Sequence, residues 1–216
     1  ETYRAFGCTS CGIEVIPNFV NLAEYFPATD VRCRPDLAPK DAKIVMHVSN
    51  FREVKRVPDI VRAFAKIRQE VKSVLILVGD GPEREDSERE AERLGVAKHV
   101  RFLGKLDAIA DLLRAADVFL LPSSTESFGL AALEALACGV PVVASNVGGL
   151  PEVVDESCGA LVPVGDVDAL AGKSIELLRD AKRWDGARKA AVDRARTFAA
   201  ESIVPQYEQL YQQVVG

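Results

Sequence analysis

Two glutamates stand eight positions apart in ESFGLAALEALACGVPVVAS, residues 126–145. Glu126 sits beside a Phe-Gly pair, and Glu134 interrupts an otherwise apolar helical run. A helix meant only for packing has little use for either. An ionised carboxylate accepts two hydrogen bonds at once, which matches the vicinal hydroxyls of a sugar or a ribose. Between the two glutamates, Phe128, Gly129 and Leu130 read as the first helical residues. Their backbone N–H groups have no intrahelical acceptor and suit an anion. Gly129 also removes a side chain where a ligand would approach the backbone. Glu134 lies about 7–8 Å further along the helix, at 1.5 Å per residue. That is the reach from a diphosphate to the ribose of the same nucleotide. The plainer readings are a helix-end charge for Glu126, worth about 0.3–1 kcal/mol, and a snorkelling surface position for Glu134. Residue chemistry favours a function for both.

A second chemical stretch is SNFREVKR, residues 49–56. It offers Arg52, Lys55 and Arg56 as cations, with Ser49 and Asn50 as neutral donors. Arg52 and Lys55 precede a helix and suit phosphate oxygens. Arg62, Lys66, Arg68 and Lys72, within the helix, read as a solvated face. No G-x-G-x-x-G follows the strand before this loop and no G-x-x-x-x-G-K-[ST] exists, which excludes the common dinucleotide and NTPase signatures. GDGP at 79–82 is a turn signal. Gly79 in it joins the candidate binding residues, although a turn is the plainer use of its glycines.

The elements that must position these groups alternate regularly from residue 43. KIVMHV (43–48), VLILVG (74–79), HVRFLG (99–104), DVFLLPS (117–123), PVVAS (141–145) and GALVPV (159–164) read as strands. Helices are expected at 58–69, 83–94, over IADLLRAA, over the stretch after Glu126, briefly in GGLPEVV, and through most of 167–215. Strands without polar alternation are buried on both faces, and their alternation with helices points to a parallel sheet. The expected fold is α/β, a doubly wound, six-stranded Rossmann-like sheet of order 3-2-1-4-5-6. Ligands of such sheets bind outside the carboxyl ends of the strands, where the order reverses. That crevice sets SNFREVKR against SSTESFG.

Residues 1–42 read as a connector, 43–200 as the Rossmann-like domain, and 201–216 as a final helix. The chain opens on ETYRAFG, which reads as a helix end, so it is expected to be a piece of something longer. A net charge of −5 argues against nucleic acid or an anionic membrane as partner. No apolar run approaches the roughly 20 residues of a membrane span, and no signal peptide is evident. Five cysteines without regular spacing fit a reducing compartment, and Cys8 and Cys11 form a lone C-x-x-C.

The spacing of Glu126 and Glu134 within ESFGLAALEALACGVPVVAS resembles the signature of group 1 (family 4) retaining glycosyltransferases of the GT-B fold. The likeness extends through VIPNFVN, LVGDGPE, VRFLGKL and NVGGLPEVV to the final helix. It implies that the chain is the C-terminal, donor-binding half of a two-domain cytoplasmic enzyme, with a UDP-sugar as donor and no cofactor or metal. It implies that Lys55 and Arg52 stabilise the leaving diphosphate and that Glu126 contacts the transferred sugar. Phe128, Gly129 and Leu130 would hold phosphate or sugar oxygens, Glu134 the ribose, and the backbone near Gly104 and Lys105 the uracil. The small-molecule acceptor would be bound mainly by the other domain; a homodimer is compatible with all of this. HVSNFREVKRVPDIVRAF resembles most the branch that moves N-acetylglucosamine from UDP-N-acetylglucosamine to L-malate. In most relatives a Gly-Arg pair stands where this chain has SNFR, so their diphosphate arginine falls on Asn50 here. Other donors or acceptors, and a non-transferase GT-B module, remain alternatives.

Overall fold

Runs such as KIVMHV and SVLILV are apolar at successive positions, so both faces of each strand must be covered. The computed structural model describes residues 14–28 and 34–215. Its six strands are β1 (Lys43–Val48), β2 (Ser73–Val78), β3 (Val100–Gly104), β4 (Val118–Leu121), β5 (Val142–Ser145) and β6 (Gly159–Val162). They form one sheet in the order β3-β2-β1-β4-β5-β6, every pair parallel, as the pattern predicts. The helices are α1 (Arg34–Leu37), α2 (Val57–Glu70), α3 (Arg84–Arg93), α4 (Ala110–Ala115), α5 (Leu130–Ala137), α6 (Leu150–Val153), α7 (Val167–Arg179), α8 (Ala181–Arg196) and α9 (Ala200–Val215).

Alternate strand residues feed two cores. Ile44, Met46, Ile76 and Phe119 join Leu133 and Leu136 of α5 and Ala191 of α8 on one face. Val45, Leu75, Leu77 and Leu120 join Ile60, Phe64 and Ile67 of α2 and Leu170 of α7 on the other. The apolar positions of α2 recur at helical spacing, which gives it one buried stripe. Asp166 and Asp180 cap α7 and α8 by accepting N–H bonds of 2.8–3.0 Å from the first turns. The chain's progress across the sheet reverses between β1 and β4, so their two loops face each other at the carboxyl end.

The stretch before β1 is not a free tether where it is described. Val20, Leu37, Ala38 and Ala42 are buried. The Val20 N–H donates to the Phe198 carbonyl at 2.9 Å, and the Ala200 N–H donates to the Val20 carbonyl at 3.0 Å. This pins the stretch to the start of α9. The helix end expected in ETYRAFG and the Cys8–Cys11 pair lie outside the described residues. Cys138 and Cys158 are buried free thiols.

At the amino end of the sheet, buried Asp117 accepts from the Ile44 N–H (2.8 Å), Arg34 (2.9 Å) and Lys43 (3.2 Å). Asp117→Ala strands those donors. Arg34 and Lys43 are about a third exposed, so water takes up part of the loss. The expected cost sits at the lower end for a broken buried pair, about 3 kcal/mol, in chemical denaturation. A loss below about 1 kcal/mol would show that Asp117 holds nothing together.

Candidate functional site

The loop after β1 is shaped by close approach to a neighbouring turn. A Cβ on Gly79 would lie 1.7 Å from the Ser49 carbonyl oxygen, and one on Gly81 would lie 2.1 Å from that of Asn50. Gly79, with φ +124°, is therefore a packing position: it lets β2 end against the loop, and its N–H donates to the Gly104 carbonyl at 2.8 Å. The Glu83 N–H donates to the Phe51 carbonyl (2.9 Å), and the Glu83 carboxylate accepts from the Val57 N–H at the start of α2 (2.9 Å). So GDGPE clamps the loop and caps the helix that follows it. Phe51 and Arg56 both take left-handed φ, +42° and +54°, which is costly for residues with a Cβ.

The facing loop is held in the same way. A Cβ on Gly148, which has φ +55°, would lie 1.7 Å from the Glu126 carbonyl oxygen, and one on Gly149 would lie 2.4 Å from that of Ser127. The Gly149 N–H donates to the Glu126 carbonyl at 3.1 Å. NVGGLPEVV thus sets the height of Glu126 through backbone contact. The two loops also touch each other: the Ser124 N–H donates to the Val54 carbonyl at 2.8 Å.

Across this junction the Lys55 ammonium donates to the Glu126 carboxylate at 2.5 Å. Both side chains are mostly shielded, at 20% and 13% exposure. The same Glu126 oxygen is 3.4 Å from the Ser123 hydroxyl. Two groups picked out from separate motifs therefore form one ion pair at the reversal point.

The start of α5 differs from the sequence reading. The helix begins at Leu130, not Phe128; Gly129 precedes it in a left-handed conformation with φ +99°, and Phe128 is a buried loop residue. The first intrahelical bond runs from the Leu133 N–H to the Gly129 carbonyl, so the free amides are those of Leu130, Ala131 and Ala132. Gly129 is required by its left-handed φ of +99°; a Cβ there would also meet the end of the Leu150 side chain at 2.6 Å. The Gly129 and Phe128 amides meet no backbone acceptor among the described residues.

Glu134 lies five residues beyond Gly129 and is half-buried. Sequence reasoning missed its neighbour Tyr25, in the stretch before β1, whose hydroxyl favours the ionised carboxyl. Burial raises the Glu134 carboxyl to about 7; the Tyr25 hydroxyl lowers it, and Glu24 raises it. Tyr25 is pushed up to about 12, by burial first and then by Glu134. The folded-state value exceeds the ordinary 4.5, so protonated Glu134 favours the fold fully below about pH 4.5, and this contribution is lost as pH rises through about 7. Glu134→Gln is expected to flatten the fall in stability over that window, measured by denaturation at stepped pH. An unchanged slope would assign the fall to another group.

The remaining candidates are scattered around the crevice. Arg52 is exposed and has no side-chain partner among the described residues. Arg56 bonds Asp59 through Nε at 2.7 Å, so it turns toward α2 rather than toward Glu126. Ser49 is not a free donor: its hydroxyl lies 2.7 Å from His47 Nε2 and accepts from the Phe51 N–H at 3.2 Å. Asn50 and Lys105 are exposed, and Gly104 ends β3 with φ +73°. Lys66 and Lys72 pair with Asp168 and Asp41 on the surface, which fits a solvated face.

The parallel sheet with its reversed strand order and opposed loops defines a Rossmann-like α/β domain, a class whose ligands bind at the switch point. The family model of glycosyl transferases group 1 matches residues 33–197, and the chain belongs to that family. It is 42% identical over 209 residues to the N-acetyl-alpha-D-glucosaminyl L-malate synthase of Bacillus anthracis, covering 94% of this chain and 54% of the relative. Its fold matches the sucrose-phosphate synthase of Thermosynechococcus elongatus with a TM-score of 0.86 at 34% identity, over 99% of this chain and 55% of that one. It also matches Anabaena HepE in complex with UDP-glucose, with a TM-score of 0.85 at 26% identity, over 93% of this chain and 57% of that one. The chain spans about half the length of the curated relatives it matches. Among the described residues no helix is long and apolar enough to cross a membrane.

Proposed function

We propose that this chain is the donor-binding half of a retaining glycosyltransferase that moves N-acetylglucosamine from UDP-N-acetylglucosamine to L-malate in the cytoplasm. The observation that carries this reading is the Lys55–Glu126 pair, which joins the loops after β1 and β4. In the reaction the bond from the anomeric carbon to the UDP oxygen breaks, and the diphosphate takes the electron pair. Lys55, the α5 amides and Arg52, which is free to swing in, stabilise that charge. The leaving phosphate accepts the proton of the incoming hydroxyl, which bonds to the same face of the sugar. Glu126 contacts the transferred sugar, and Glu134 accepts from the ribose hydroxyls. Uracil sits against the backbone near Gly104 and Lys105. The acceptor is bound mainly by a second domain, so the chain alone has little transfer activity.

The likeness to the Bacillus anthracis malate synthase supports the donor and acceptor, and the UDP-glucose complex of HepE supports a UDP-sugar. The likeness to a sucrose-phosphate synthase favours a second reading, a family member using another hexose donor. A donor and acceptor panel with the two-domain enzyme separates the two readings.

Titration calorimetry of the chain with UDP tests the donor reading. Weak but saturable binding is expected; no heat at millimolar UDP with folded protein rejects it. Ribose hydroxyls donate to an ionised Glu134, so affinity is expected to rise between about pH 6 and about pH 8, and to rise less in Glu134→Gln. That comparison subtracts the titration of UDP itself.

A further inference from the structure

His47 is wholly buried at the carboxyl end of β1, and it opens the HVSNFREVKR stretch without a role assigned to it there. Its Nδ1 is 2.8 Å from the Leu120 carbonyl oxygen on β4, and its Nε2 is 2.7 Å from the Ser49 hydroxyl. A carbonyl can only accept, so the ring proton lies on Nδ1 and Nε2 accepts the Ser49 proton. The Ser49 oxygen is then free to accept the Phe51 N–H, at 3.2 Å. Every donor in this relay has one acceptor, and the chain of bonds has one direction. It ends at Phe51, the residue held at φ +42° where the loop turns out toward Arg52 and Lys55. The Phe51 ring is also wholly buried and stacks on His47 with centroids 6.2 Å apart.

We propose that His47 is a positioning residue for the donor loop: from β4 it holds, through Ser49, the left-handed turn at Phe51 that presents Lys55 to the diphosphate. The role rests on the donor reading above. The relay joins the two strands that flank the switch point, so the same imidazole ties the Lys55 loop to the strand leading to Glu126. Such strained φ values persist only where surrounding bonds over-determine them, and these bonds do so here. Burial lowers the imidazolium to about 4, which keeps the ring neutral and the relay intact at ordinary pH.

The test uses the chain with His47→Leu, which keeps volume and removes both bonds, and Ser49→Ala, which breaks the relay without touching the core. Amide exchange over residues 49–56, measured without ligand, is expected to speed up roughly tenfold in both variants. UDP affinity is expected to fall roughly tenfold in the wild-type background and to change little in a Lys55→Ala background, because the relay acts through Lys55. His47→Gln, which keeps an acceptor toward Ser49, is expected to recover part of the loss. Unchanged loop exchange overturns the proposal whether or not UDP binds. Equal losses with and without Lys55 overturn it too, since that is the mark of a structural histidine. If wild-type chain fails to bind UDP, the donor reading falls and loop exchange alone decides the role of His47.

Discussion

Glu126→Gln is expected to tighten UDP binding while lowering transfer in the two-domain enzyme proposed above. Glu126 and Lys55 pair at 2.5 Å, largely out of water. On the donor reading proposed above, a diphosphate arriving beside Lys55 competes with that carboxylate and is repelled by it. Neutralising Glu126 releases Lys55 and removes the repulsion, and at the effective dielectric of such a site one like charge a few ångströms away is worth about a tenfold change in affinity. Lys55→Ala has the opposite sign, with UDP weaker by about 10- to 100-fold, since it leaves both a carboxylate and a diphosphate without a cation. Transfer is expected to fall by about 10²- to 10³-fold in each variant, the range for removing one group that stabilises a transition state. Calorimetry with UDP and a transfer assay read the two effects separately. Weaker UDP binding in Glu126→Gln would mean that the carboxylate holds Lys55 in a productive place rather than competing for it.

Gly148→Ala is expected to unseat Glu126 from a position outside the site. The new Cβ would fall 1.7 Å from the Glu126 carbonyl oxygen, and alanine is strained at φ +55°. The obstacle is backbone, so no side-chain rotation relieves it. The expected losses are about 2–4 kcal/mol of stability and, on the donor reading, about 100-fold in transfer, because a sugar-contacting group displaced by about an ångström misplaces the substrate by as much. Gly172→Ala is the control: it lies inside α7 with nothing within 4 Å of the new Cβ. It is expected to stabilise by up to about 1 kcal/mol through helix propensity. Equal effects from the two substitutions would dismiss the close approach at Gly148 as an explanation.

The readable parts of this protein are those governed by local chemistry. Apolar runs such as KIVMHV and VLILVG demanded buried parallel strands. From the strand–helix alternation followed the order β3-β2-β1-β4-β5-β6 and the face that holds the crevice. The spacing of Glu126 and Glu134 and the cations of SNFREVKR were visible for the same reason: each lies within one short segment.

What the sequence could not state is which polar group each side chain meets. Lys55 and Glu126 are 71 residues apart, and their meeting depends on the length and glycine packing of two loops. Arg52 and Arg56 share one short stretch, yet only Arg56 is drawn to Asp59. Ser49 reads as a free donor but is taken up by His47, which the tertiary structure alone ties to Leu120. Tyr25 reaches Glu134 from a segment that reads as a tether. The helix of the opening stretch starts two residues late because Gly129 takes a left-handed φ of +99°, which no right-handed helix contains. Residue type and period alone determined the elements and the chemistry available to them. The tertiary structure decided which charges are paired, free or buried, because those partners come from segments that only the folded sheet brings within a hydrogen bond of each other.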